Sequence, residues 1–128
     1  MPGAAAGALS TASSSLGMVV VDGSGMTVYV FDKDTANSGK SACEGGCAAT
    51  WPAVTTTGTP TATGVTGTLG TITLPDGTMQ VTLNGLPLYH YSGDSAAGNV
   101  NGQGIGGIWW VVGPNGVKIT SAASGGGY

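Results

Sequence analysis

The chain reads as all-β: an antiparallel sandwich or partly closed barrel of about seven strands, built from two related halves. Three observations predict this. Short apolar runs rich in Val, Thr and aromatic residues alternate with tight-turn signals along most of the 128 residues. The pattern Tyr-x-aromatic-x-x-Asp occurs twice, as Tyr29-Val30-Phe31-Asp32-Lys33-Asp34 and Tyr89-His90-Tyr91-Ser92-Gly93-Asp94, with equivalent residues 60 positions apart. No segment combines a helical apolar period with caps.

The elements follow in order. Val19-Val20-Val21 leads through Asp22-Gly23-Ser24-Gly25 into Met26 to Phe31, a hairpin. In the motif strand, Tyr29 and Phe31 face one way and Val28 and Val30 the other, so it should be covered on both faces. A long loop then reaches Trp51-Pro52. Thr55 to Gly67, rich in Thr, Gly and Pro, is a connector, either loop or edge strand. Thr71 to Leu74 turns through Pro75-Asp76-Gly77 into Thr78 to Leu83. Asn84-Gly85 then opens a second turn into Leu86 to Tyr91. Asn-Gly suits a type I′ hairpin because both central residues need positive φ. Tyr89 and Tyr91 share a face opposite Leu88 and His90. Pro87 cannot donate to a ladder and belongs at a strand start or an edge. A last hairpin joins Ile108–Val112 to Val117–Ile119 across Gly113-Pro114-Asn115-Gly116.

One domain is expected, residues 16–120, with halves at about 16–54 and 69–120. Residues 1–15 and 121–128 read as flexible tails. The first 16 residues lack the basic and apolar regions of an intact signal peptide. No run approaches the roughly 20 apolar residues of a membrane span.

Composition narrows the function. Charged residues make up 7% of the chain, with three lysines, no arginine and a net charge of −3. That is too little positive charge to neutralise a nucleic-acid backbone. The neutral, Thr/Gly-rich surface suits an extracellular β protein. Cys43 and Cys47 bracket Glu44-Gly45-Gly46, a spacing that permits a local disulfide and implies an oxidising compartment.

Candidate chemistry is sparse. Asp34 and Asp94 follow their strands at positions where Asp accepts backbone N–H bonds and shapes a turn. Asp32, Asp34 and Asn37 offer oxygens to a cation, but lack the glycine and bidentate Glu of an EF-hand loop. His90 is the only histidine and sits where the first motif has Val30. With Met18, Met26 or Met79 it is a weak copper candidate. No Gly-x-Ser-x-Gly elbow is present to pair with it. The glycine run Asn101 to Gly107 precedes a strand, so no helix N-terminus is available for phosphate. Trp109 and Trp110 are adjacent and must face opposite sides. The expected core is Tyr29, Phe31, Tyr89, Tyr91, Trp51 and one of those two tryptophans.

These segments resemble a known family. Val28–Asp34, Cys43–Pro52 (Cys-Glu-Gly-Gly-Cys-Ala-Ala-Thr-Trp-Pro), Leu83–Asp94 and Asn101–Val112 are similar to the "secreted repeat of unknown function" family of bacterial and archaeal lipoproteins. The resemblance spans about residues 16–117. It implies export, often with a lipid anchor, and no established activity or catalytic residues. Both cysteines lie inside the domain, so no lipobox cysteine is evident and an anchor is not expected in this chain.

The functional expectation is a non-catalytic extracellular or cell-surface domain, structural or adhesive, without a cofactor. Self-assembly is expected through termini that add to a neighbour's sheet edge. Two other classes stand beside it. A metal- or redox-binding surface protein would use His90, Asp32, Asp34 or Asp94. An enzyme acting on cell-surface polymers would need two exposed carboxylates at catalytic separation.

Overall fold

A computed structural model describes residues 8–120 except 24, 44, 45, 58 and 76. Its elements are β1 (Ala8–Ser14), β2 (Gly17–Val21), β3 (Tyr29–Phe31), α1 (Gly46–Thr50), β4 (Thr55–Thr56), β5 (Thr61–Ala62), β6 (Leu69–Thr73), β7 (Met79–Leu83), β8 (Leu86–Pro87) and β9 (Trp109–Val111), with a 3-10 turn at Ile105–Gly107. The protein is all-β: α1 is a single helical turn, and the sheets do not close into a barrel. Nine strands stand where about seven were expected, because the connector contributes two short ones and the expected N-terminal tail contributes β1.

β1 corrects the sequence reading of residues 1–15 as tail. Its Ala/Ser composition gives little strand signal. It is ordered by pairing antiparallel with β2, from Ser10 opposite Val21 to Ser14 opposite Gly17. It also buries Leu9, which is 2% exposed. The other tail residues, 1–7 and 121–128, lie outside the described residues.

The sheets have the orders β2-β1-β5, β3-β9 and β4-β7-β6, with β8 also on β7. The Asn84-Gly85 turn has φ of 54° and 84°, the positive pair that a type I′ hairpin requires. β3 is buried throughout. Tyr29 and Phe31 enter one apolar cluster with Trp51, Tyr89 and Trp109. Val28 and Val30 enter another with Val54, Val81, Leu88 and Val112. Strand alternation thus sends the aromatics to one layer and the aliphatics to the other.

The halves are interlocked. β3, from the first half, pairs with β9, from the second: Tyr29 lies opposite Val111 and Phe31 opposite Trp109. The second motif pairs back onto the first half, with Tyr89 opposite Ala53. The two motif tyrosines also pair with each other. Tyr29 N–H donates to the Tyr89 carbonyl at 2.8 Å, and Tyr89 N–H to the Tyr29 carbonyl at 2.9 Å. Other bonds repeat around this pair. Val28 N–H reaches Val20 O and Val112 N–H reaches Val28 O, just as Leu88 N–H reaches Val81 O and Val54 N–H reaches Leu88 O. These matches describe a pseudo-twofold relation centred on Tyr29 and Tyr89.

Candidate functional site

The doubled motif places its most polar groups between the halves. The Tyr29 hydroxyl donates to Asp94 Oδ2, and the Tyr89 hydroxyl donates to Asp34 Oδ2, each at 2.6 Å. Each tyrosine therefore bonds the other motif's aspartate. The second carboxylate oxygen of each aspartate accepts a backbone N–H from its own following loop: Ala42 onto Asp34 Oδ1 at 2.6 Å, and Asn101 onto Asp94 Oδ1 at 2.9 Å. The turn-shaping role expected of these aspartates is present, but it accounts for only one of the two oxygens. The tyrosine oxygens have matching neighbours as well. Gly102 N–H donates to the Tyr29 hydroxyl at 3.1 Å, and the Ser41 hydroxyl lies 2.6 Å from that of Tyr89.

Burial sets the electrostatics of these pairs. It pushes the tyrosine hydroxyls well above the ordinary phenol value of 10.0, and the bonded aspartates raise them further. Burial also raises Asp34 and Asp94 above the ordinary 3.8, opposed by the tyrosine and backbone donors. Both pairs therefore hold their protons on the phenols at neutral pH.

Between the pairs runs an aromatic stack. Phe31 stacks on Trp109 at 4.0 Å, Trp109 on Trp51 at 3.7 Å and Trp51 on Tyr91 at 4.4 Å. Tyr29 meets Trp51 edge-on, and Tyr89 meets Trp109 in the same way. The order alternates halves at each end: Phe31 rests on the other half's tryptophan, and so does Tyr91. Tyr29, Phe31, Trp51, Tyr89 and Trp109 are buried. Tyr91 is half-buried at the end of the stack. Trp110 faces the opposite cluster, half-buried, and donates from Nε1 to Asp32 Oδ2 at 2.8 Å.

The remaining candidates are held apart. Asp32 also receives Lys118 Nζ at 2.7 Å. Burial raises its carboxyl, but the Lys118 and Trp110 hydrogen bonds outweigh that and hold it below 3.8. His90 Nε2 lies 2.6 Å from Asp22 Oδ2. Met18 is exposed. Among the described residues no three His, Cys, Asp or Glu side chains converge as a metal site would require. Cys43 and Cys47 are joined in a disulfide, within the first half, and Cys43 packs in the aromatic cluster.

Sequence reasoning missed Asp22 and Ser41. Asp22 stands in β-register where the second half has Leu83, just as His90 stands where the first has Val30. Leu83 and Val30 are both buried in the aliphatic cluster. The first-half position of one apolar pair and the second-half position of the other have thus become an ion pair. Comparing the halves position by position flags this substitution.

A family model described as a secreted repeat of unknown function matches residues 10–55 and 70–113. The chain belongs to this secreted-repeat family. The matched segments are the two interlocked halves, and each contains one motif and the tryptophan that stacks at its centre. No curated protein and no solved structure matches the chain. Among the described residues of this secreted-repeat domain, no helix is long and apolar enough to cross a membrane.

Proposed function

We propose that this secreted-repeat domain is a non-catalytic extracellular structural subunit that self-assembles, with an adhesive role open to such assemblies. One observation carries the reading. The motif's reactive groups, Tyr29, Tyr89, Asp34 and Asp94, are engaged with one another across the halves. A catalytic carboxylate needs to reach substrate. These carboxylates instead close the fold, so the repeated signature is a clasp.

Two further features support a structural subunit. At 7% charged residues, the surface carries little of the charge that keeps β edges apart. The aromatic stack and cross-half bonds make the domain rigid, which suits a repeated building block.

The test is the assembly state of the full chain, by light scattering after size exclusion and by electron microscopy across a wide concentration range. Concentration-dependent oligomers or filaments are expected. A protein that stays monomeric throughout overturns the reading.

A further inference from the structure

The internal repeat lets one half be compared with the other, and they differ at one sheet edge. β1 and β6 hold the same place: Thr11 lies opposite Val20 as Thr71 lies opposite Val81. The outer edge of β1 is covered by β5, which pairs with it in parallel, Ala8 opposite Thr61 and Leu9 opposite Ala62. The outer edge of β6 carries no strand among the described residues. Its Leu69, the counterpart of buried Leu9, is only half-buried.

The ladder fixes which backbone groups of β6 point outward. Asn84 N–H donates to the Thr68 carbonyl at 2.8 Å. Alternation then turns Gly70 and Ile72 toward β7, and presents the N–H and C=O of Leu69, Thr71 and Thr73 to the outside. A depression lies on each side of the strand. One, of about 310 Å³, is bordered by Asn37, Thr68, Ile72 and Thr82. The other, of about 380 Å³, is bordered by Thr59, Pro60 and Met79. Backbone groups along an edge with depressions for alternate side chains form the layout that accepts an added strand. Thr68 to Leu74 carries no charge and no proline, so the usual devices that block edge pairing are absent.

We propose that this edge accepts a strand from a second copy of the chain, the segment Thr120–Ser124, running parallel to β6. Three observations select this occupant. At the 60-residue spacing of the motif, Thr61-Ala62 corresponds to Ser121-Ala122. This places Ser121 against Thr68 and Ala122 against Leu69. The chemistry also matches: Thr-Ser-Ala-Ala-Ser is uncharged and small, as is the Thr-Ala-Thr that covers β1. The third observation is the direction of the chain. The tip of the last hairpin lies at the start of β6, where Thr66 N–H donates to the Pro114 carbonyl at 2.7 Å. From that tip the chain returns along β9, with Ile119 N–H on the Val111 carbonyl. It is therefore moving away from the end at which a parallel strand must enter its own β6, while a neighbour's segment has no such constraint.

Donor segment and acceptor edge are different surfaces, so the contact is head-to-tail and builds rings or open chains. The inference rests on the assembly reading above and names its contact.

The test mixes two full-length variants, Thr68→Cys and Ser121→Cys, under mild oxidation. Cross-linked pairs of one variant with the other are expected on a non-reducing gel. A Ser95→Cys variant, with its thiol on an exposed loop, should give none with Ser121→Cys. Thr71→Lys should weaken assembly at least tenfold while leaving the thermal melt unchanged. Assembly without the Thr68–Ser121 cross-link overturns this contact and leaves the assembly reading standing. A cross-link formed only within single molecules of the double variant overturns the second-copy occupant. A chain that never assembles overturns both.

Discussion

At the scale of single residues, the two tyrosine–aspartate bonds distinguish this domain from an ordinary aromatic core. Asp94 is 7% exposed, so removing its phenolic donor leaves a buried carboxylate short of a partner. Tyr29→Phe is expected to cost about 1–3 kcal/mol, a fall of roughly 5–15 °C in Tm. Tyr89→Phe should cost a similar amount, and Tyr91→Phe less than about 0.5 kcal/mol. Thermal melts followed by circular dichroism decide this; equal effects at all three positions would deny the bonds a special role. The same phenols set the behaviour in base. Their folded values are raised above 10.0, so their contribution is complete below pH 10 and is lost as pH rises beyond it. Phenolate absorbance from Tyr29 and Tyr89, assigned with the Phe variants, should appear only together with loss of β structure. Ionisation near pH 10 in an intact fold would contradict the buried pairs.

At the scale of elements, loops and strands divide the work unequally. The glycine run after the second motif is needed for close approach. A Cβ at Gly102 would come within 2.7 Å of the Trp51 ring, and Gly104 N–H donates to the Trp109 carbonyl at 2.7 Å. The run therefore fits the chain around the tryptophan stack. The corresponding loop of the first half carries the disulfide. Its ring is small, with the cysteines four positions apart, and loop entropy assigns it about 2 kcal/mol. Reduction should lower the melting temperature yet leave the fold and the pairing of the halves intact. A reduced protein that unfolds completely at 25 °C would show that the bridge does more than close a loop.

For the whole molecule, interlocking matters more than any single contact. β3 pairs with β9, the motif tyrosines bond the opposite aspartates, and the disulfide stays within one half. The halves therefore behave as partners in a dimer that happen to share a chain. A protease site placed between Gly64 and Val65, in the connector, should be cleavable in the folded protein. The two fragments should then co-elute without denaturant. Fragments that separate under native conditions would show that the connector, and not the clasp, holds the halves together.

Much of this was legible in the chain. The turns at Asn84-Gly85 and Gly113–Gly116, the two-faced β3, the repeat and the local disulfide all depend on neighbouring residues, so sequence determines them. The all-β class follows from the same short-range signals. The exchange between halves was not legible. A motif shows that Asp34 ends a strand, but not that its second oxygen waits for Tyr89, 55 positions away. Nor does an Ala/Ser-rich start announce β1, which is a strand only because β2 and β5 lie beside it. Sequence by itself determined the strands, turns and duplication, because those depend on steric and hydrogen-bonding preferences within a few residues. Tertiary structure alone decided which half each aromatic and carboxylate serves, because that is fixed by burial between segments far apart in the chain.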